Sequence, residues 1–376
     1  MKIFGVIIEA NPFHNGHQYL INKIKADYSP ELTIAVCSGY FSMRGEISVL
    51  PKLEKTEILL KSGFDLIIDL PLYSSLNSSL KFGENSIYLL NQAKITDLVF
   101  GIEEGSKEDL EKILEIEKNS LFKETLISNL NTEYSYKKAY SKTILNLSHD
   151  QRLYQLSLLP NITLALDYIR IIHTKYPHIQ IHTIQRIGNN DNSIELTSIP
   201  SGSALREAIK NHIPIDQYIN YNSDKLINLT TSNQILTSLL HSLIITNNDH
   251  FKNIHLVSEG IENYILNNID VNIDYEQNIN KLANKKYTKS RIKRTIISML
   301  LNLEGNITED LPLRVLGFSK KGENHFKNLR NVNLCNNIKT IDSKYFDYEL
   351  KASKLYNIIT KSNSYKNEFK FPIKEN

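Results

Sequence analysis

The sequence predicts an α/β fold: a doubly wound parallel sheet over residues 1–220, followed by a mostly α-helical domain over residues 221–376. Three observations carry this. Short apolar, β-branched runs alternate with helix-period segments through the first half. The first of these runs leads straight into Asn11-Pro12-Phe13-His14-Asn15-Gly16-His17, a turn that opens a helix. After about Asp216 the strand-like runs give way to helical ones.

The elements follow in order. Ile3–Ile8 is a continuous apolar run, as a strand buried on both faces requires. A helix is expected over residues 18–26, a β-branched strand over 32–37 and a helix over 53–62. Residues 65–70 make the next strand, stopped by Pro71. Residues 85–92 read as helix, and residues 97–100 as a strand ending at Gly101. A long, largely solvated helix is expected over 109–131. Another is expected over 161–173, burying Leu164, Leu166, Ile169 and Ile172. Residues 179–184 are one more strand, leading to Arg186, Gly188 and a polar loop at 189–193. Helices at 233–245, 261–267, 289–303 and 349–359 dominate the remainder, past a boundary near residues 215–230. The tail after Ser362 is polar and expected to be loosely ordered.

Composition narrows the function. A 376-residue chain with 41% hydrophobic and 23% charged residues suits a globular protein with a sizeable core. The formal net charge is only +3, so any nucleic acid must be met by local clusters. Cys37 and Cys335 are the only cysteines, too few for a disulfide framework or a zinc site. A reducing, cytoplasmic setting is expected. No apolar stretch reaches the ~18 residues of a membrane span. The N-terminus lacks a signal-peptide pattern, so no membrane partner is expected.

His14 and His17 bracket Gly16 where a strand gives way to a helix. A lone histidine is usually an ordinary hydrogen-bonded residue. Two around a glycine, beside Asn-Pro and after a buried strand, point to anion chemistry. Backbone N–H groups at a helix N-terminus favour a phosphate. Imidazoles donate to phosphate oxygens as charge builds on phosphorus. Gly16 lets the backbone come close to a nucleotide, and Pro12 fixes the turn without adding a donor. No nucleophilic side chain is needed, because a substrate oxygen attacks and the protein positions it. No metal-binding residue set is expected.

Ser201-Gly202-Ser203-Ala204-Leu205-Arg206 is a second candidate phosphate cradle, with Ser203 and Arg206 as its contacts. Taken alone it equally describes an ordinary helix cap with a solvated arginine. Arg186 follows a strand, where a guanidinium reaches a phosphate, a carboxylate or an adenine face, or else makes a surface ion pair. Asn161, after Pro160, is expected to cap its helix, and Gly101 to pass under a base or ribose. Arg44, Lys52 and Lys55 fall on the rim of the same cleft, with Lys55 expected to be solvated. The helical half holds Lys281, Lys285, Lys286, Lys289, Arg291, Lys293 and Arg294 without an intervening acid. Arg314, Lys320, Lys321, Lys327 and Arg330 come later. Such clusters suit a phosphate backbone; a solvated helix face is the plainer reading.

The strand and His-x-Gly-His turn resemble the signature of the nucleotidylyltransferase superfamily. Its members attack the α-phosphate of a nucleoside triphosphate and expel pyrophosphate. The resemblance implies a Rossmann-like nucleotidylyltransferase domain. It extends further. Gly5-Val6-Ile7-Ile8-Glu9, Ser38-Gly39, Arg44-Gly45-Glu46 and Ser62-Gly63-Phe64-Asp65-Leu66-Ile67-Ile68-Asp69-Leu70-Pro71 are similar to the tRNA(Met) cytidine acetate ligase family. So are Phe100-Gly101, Pro160-Asn161, Arg186, residues 201–206 and Leu316-Gly317-Phe318, in family order over nearly the whole chain.

The implied activity joins acetate and ATP into acetyl-adenylate and pyrophosphate. The acetyl group then passes to the wobble cytidine in the anticodon loop of elongator tRNA(Met), leaving N(4)-acetylcytidine and AMP. The resemblance implies His14 and His17 as catalytic residues. It implies ATP contacts at Ile7, Ile8, Glu9, Ala10, Asn11, Pro12, Phe13, His14, Asn15, Gly16, His17, Gln18, Tyr19 and Leu20, then Gly101, Asn161 and Arg186. Mg²⁺ would arrive with the nucleotide. Lys285, Lys286, Lys289, Arg291 and Arg294 are the candidate tRNA contacts. Ala10 departs from the family, where an aromatic residue is common, as do Ile162-Thr163 and Gly202-Ser203. Two other readings stay open. One is a nucleotidylyltransferase adenylating a small phosphorylated cofactor precursor, which the basic helical half disfavours. The other is a non-catalytic nucleotide- or RNA-binding module, which the intact His14, Gly16 and His17 disfavour.

Overall fold

The computed structural model describes the chain except for residues 133–134, 189–195, 197, 246–247, 306, 308–309, 330–333, 336–342, 371 and 376. The polar loop expected at 189–193, Arg330 and the side chain of Cys335 lie outside the described residues. The strands are β1 (Ile3–Ile8), β2 (Leu32–Ser38), β3 (Leu66–Leu70), β4 (Asp97–Ile102), β5 (Gln180–Gln185), β6 (Leu313–Phe318), β7 (Leu334–Cys335) and β8 (Ile373–Lys374). They form one sheet in the order β5-β4-β1-β2-β3-β6-β7, with β8 also on β6. β1 to β5 are parallel. The chain winds outward from β1 to β3 on one side, then returns to β4 and β5 on the other. β1 and β4 therefore flank the switch point, where a crevice opens beyond the strand ends.

Both faces of the sheet are covered, which is why the strands read as unbroken apolar runs. Phe4, Val6 and Ile8 pack with Ile21 and Ile24 of the helix Asn15–Tyr28. Ile3, Ile34, Val36 and Leu98 face the other way, toward the helices Ser79–Gln92 and Ile162–Lys175. Each such side chain contributes about 1.5–3 kcal/mol on burial.

The long helix expected over 109–131 is two helices, Lys107–Glu117 and Phe122–Thr132. Between them Asn119 turns its side-chain oxygen onto the Leu121 N–H at 2.9 Å, a local bond that competes with helix continuation. Leu164 is half-buried, unlike Leu166, Ile169 and Ile172.

The larger difference is β6. It lies antiparallel beside β3, so the second half of the chain contributes to the sheet as well as to helices. Arg314 interrupts its apolar run, and that arginine is not a surface cation. Its Nη1 meets Asp69 at 3.2 Å and Glu368 at 2.5 Å in the interior. Lys52 joins the same cluster, 2.9 Å from Asp69, 2.6 Å from Glu349 and 3.3 Å from Glu368. Lys52 is thus a core strut rather than a rim residue. The Tyr40 hydroxyl donates to Glu368. The tail beyond Ser362 is therefore anchored, because Glu368 is buried here and β8 pairs with β6. Desolvation pushes the Glu349 carboxyl up to about 7 against the pull of Lys52. The helical core itself takes in Tyr40, Phe41, Val49 and Leu72 from the first half. Among the described residues no helix is long and apolar enough to cross a membrane.

Candidate active site

The carboxyl ends of β1, β4 and β5 open into a cleft of about 250 Å³. Within residues 7–20, Phe13, Asn15 and Gln18 turn elsewhere and the others line it. Phe13 is fully buried and stacks on His17 at 5.4 Å. Asn15 donates to the Gln217 carbonyl at 3.1 Å, and Gln18 to the Ser62 carbonyl at 3.2 Å.

The turn is held from several sides. Ala10 has φ 47°, the left-handed region that costs a non-glycine residue about 1–2 kcal/mol. Asn11 offsets this by donating to the Ile47 carbonyl at 3.1 Å and accepting the Val49 N–H at 2.8 Å. His14 caps the helix Asn15–Tyr28: its Nδ1 accepts the Gly16 N–H at 3.0 Å. His17 Nδ1 in turn accepts the His14 N–H at 3.2 Å. With both Nδ1 atoms accepting, each neutral ring carries its proton on Nε2 and is a donor there. The rings lie 4.1 Å apart. Burial, reinforced by His14 and Arg186, holds His17 well below the usual histidine range, so it stays uncharged. A Cβ at Gly16 would stand 2.8 Å from the His14 ring. The crowding there comes from the cap itself.

Ser201 caps the helix Gly202–Lys210 by accepting the Ala204 N–H at 3.0 Å. Arg206 reaches from this helix to the Asn11 carbonyl at 2.6 Å, Ser203 Oγ at 3.1 Å and Glu46 Oε2 at 2.8 Å. It therefore ties the two candidate phosphate segments together. Ser203 and Arg206 both line the cleft. Gly101 and Arg186 meet: a Cβ on the glycine would sit 2.9 Å from Arg186 Cγ, so the glycine makes room for that side chain. Asn161 lines the cleft but makes no side-chain cap, contrary to expectation. Its N–H and Nδ2 both donate to Glu103 Oε1, at 3.0 and 2.9 Å.

Lys55 is not solvated. It is fully buried, and its Nζ donates to the carbonyls of Glu9, Ser38 and Gly39 at 3.0, 2.9 and 3.1 Å. It fastens the ends of β1 and β2 beneath the cleft. Glu9 faces the cleft and accepts the Met43 N–H at 2.6 Å.

Residues 1–370 match the family model described as HIGH Nucleotidyl Transferase. The chain is 30% identical over 391 residues to the tRNA(Met) cytidine acetate ligase of Staphylococcus carnosus, covering 99% of this chain and 98% of the relative. The chain belongs to the tRNA(Met) cytidine acetate ligase family. The ligase of that name from Staphylococcus saprophyticus is 29% identical over 395 residues, covering 99% of each chain. The crystal structure of apo Thermotoga maritima TmcAL superposes with a TM-score of 0.84 at 23% identity, over 100% of this chain and 99% of that one. The same protein bound with alpha-thio ATP gives 0.83 at 24% identity, with the same coverage. These two share the fold.

In this member of the tRNA(Met) cytidine acetate ligase family the basic residues divide into two sets. Lys285 and Lys289 are exposed. The others meet acids or carbonyls brought from elsewhere. Lys281 pairs with Asp270 at 3.1 Å, Lys293 with Glu276 at 2.9 Å, and Lys286 and Arg291 with Glu259 at 3.9 and 3.5 Å. Arg294 turns inward and donates to the Met43 carbonyl at 2.7 Å. Burial, with Arg291 nearby, pushes it down to about 10. It is a strut between the helix Lys289–Leu301 and the cleft-rim loop at 42–46. Gly45 makes that contact possible: its φ is +71°, and a Cβ would come 2.6 Å from the Arg294 backbone nitrogen.

Sequence reasoning missed the apolar wall of the cleft formed by Leu164, Ala165 and Tyr168. Leu164 and Tyr168 lie four apart on one helix, a spacing that marks a shared face but not its partner. Ser42 was missed as well, and nothing local distinguishes it.

Proposed function

We propose that this chain activates acetate with ATP and passes the acetyl group to the wobble cytidine of elongator tRNA(Met), giving N(4)-acetylcytidine and AMP. One observation carries the reading. Two neutral imidazoles, both fixed as Nε2–H donors, stand at the switch point of a parallel sheet in a chain of this family. Donors of that kind suit the α-phosphate of ATP. An acetate oxygen attacks phosphorus, the bond to the β-phosphate oxygen breaks, and pyrophosphate leaves with the electron pair. His14 and His17 meet the growing charge without carrying one themselves. Each such donor lowers the barrier by about 2.7–4 kcal/mol. Gly101, Asn161 and Arg186 hold the nucleoside end, and Ser203 and Arg206 flank the phosphates. The Thermotoga maritima protein of the same fold is bound with alpha-thio ATP, which supports ATP as the nucleotide of this scheme.

Mg²⁺ travels with the triphosphate in this scheme. Among the described residues no group of three His, Cys, Asp or Glu stands together. The region from residue 221 onward supplies the tRNA contacts, with exposed Lys285 and Lys289 foremost. An anticodon loop presents its base to the cleft at small unstacking cost. The substrate places the work in the cytoplasm. The test is direct. The chain is incubated with ATP, acetate and an elongator tRNA(Met) transcript, and the digested RNA is weighed by mass spectrometry. An acetylated wobble cytidine is expected; unmodified tRNA under these conditions refutes the reading.

A further inference from the structure

Acetyl transfer needs a proton acceptor, and few of the described residues in the cleft can serve. As the cytidine N4 attacks the acetyl carbonyl carbon, a C–N bond forms. The carbon–oxygen bond to the phosphoryl group breaks, and AMP leaves with its electron pair. One N4 proton must then go to a base. This step rests on the ligase reading above.

Elimination narrows the choice. His14 and His17 have their Nδ1 atoms occupied by the Gly16 and His14 N–H groups, and their Nε2 atoms carry protons. Neither has a lone pair to offer. Lys55 gives all its bonds to three carbonyls. Burial raises the Tyr168 phenol well above its usual range, so it stays protonated. Among the described residues two carboxylates line the cleft, Glu9 and Glu46. Glu46 is paired with Arg206 at 2.8 Å.

We propose that Glu9 is the general base of acetyl transfer, taking the proton from the cytidine amine onto Oε2. The residue sits where β1 ends, just before the histidine turn. It is anchored at both ends: Oε1 accepts the Met43 N–H at 2.6 Å, and its carbonyl accepts Lys55 Nζ at 3.0 Å. Those bonds leave Oε2 as the accepting atom. Met43, the residue that orients it, is itself tied to the basic helix, because Arg294 donates to the Met43 carbonyl at 2.7 Å. The docked RNA and the base therefore share one rigid link. The environment suits the task. Burial raises the Glu9 carboxyl; Glu46 adds to this, while Met43, Arg44 and Lys55 oppose it. Arg294, Tyr168 and Cys37 face it too. A base tuned upward toward neutrality accepts protons more effectively than an ordinary carboxylate.

Single-turnover chemistry on the full chain tests this. Wild type and Glu9→Gln are loaded with acetate and ATP, then chased with elongator tRNA(Met) transcript at a series of pH values. Acetate-dependent pyrophosphate exchange is measured alongside. Glutamine keeps an oxygen for the Met43 N–H but cannot take a proton. Acetyl transfer is expected to fall about 10²–10³-fold, far more than exchange does, and the acidic limb of the pH profile to disappear. Should the glutamine variant not fold, Glu9→Asp decides alone, with slower transfer and a displaced acidic limb expected. Wild-type transfer by the tested variant overturns the assignment and leaves the adenylate's own phosphate as the base. Equal loss of both half-reactions overturns it too, making Glu9 a binding residue. Absence of acetate-dependent exchange in the wild-type chain is a separate result, which removes the ligase reading and this assignment with it.

Discussion

Replacing His17 by alanine removes three interactions at once. The first is the bond from the His14 N–H to Nδ1 at 3.2 Å, worth about 1 kcal/mol at a helix start. The second is the stack on Phe13 at 5.4 Å, worth about 0.5–1.5 kcal/mol beyond burial. The third is the Nε2–H donor that we propose meets the α-phosphate, whose loss would cost about 10²–10³ in rate. His17→Ala should therefore unfold about 2 kcal/mol more easily in urea and exchange pyrophosphate at least about 100-fold more slowly. His17→Asn separates these effects. Its side-chain oxygen replaces Nδ1 and restores the cap, yet its amide is too short to replace Nε2. About 1 kcal/mol of stability should return while exchange stays low. A folded His17→Ala protein that exchanges within about tenfold of wild type refutes the reasoning, because one oxyanion donor is worth more than that.

Other predictions follow from the same contacts. Lys52→Met leaves Asp69, Glu349 and Glu368 short of a buried cation, and should cost about 3–5 kcal/mol in urea unfolding; no loss would mean the cluster is not a structural unit. Lys285→Glu with Lys289→Glu should weaken tRNA binding and flatten its salt dependence by up to about two counterions, while acetate-dependent exchange persists; loss of exchange in the folded variant would contradict that division. His255 is buried, its ring Nε2 2.8 Å from the Leu76 carbonyl, and desolvation pushes it down to about 4 from 6.5. The unfolded chain therefore binds the extra proton first. This contribution to stability is complete above pH 6.5 and is lost as pH falls toward 4, about 3 kcal/mol in all. Urea titrations of His255→Gln should show that much less acid sensitivity; an unchanged slope would reject the assignment.

The first five strands were legible because helices cover both sheet faces, which demands unbroken apolar runs such as Ile3–Ile8. The histidine turn was legible because its spacing is local. What stayed hidden was decided by residues distant in sequence. β6 carries a buried arginine whose partners, Asp69 and Glu368, lie on other segments. Lys55 looks like a surface lysine until three carbonyls converge on it. The cluster at 281–294 has no acid within it, but folding brings Asp270, Glu259 and Glu276 to it. Arg206 resembled a solvated or phosphate-binding residue, and its bond to Glu46 joins two loops that sequence alone does not connect.

The central claim is that paired imidazole donors grip the α-phosphate while a carboxylate displaces pyrophosphate. Exchange of labelled pyrophosphate into ATP by the full chain measures this without tRNA. Label should enter ATP when acetate is present and not when it is omitted. No exchange with acetate, or exchange only with a phosphorylated vitamin or nucleotide, would contradict the account.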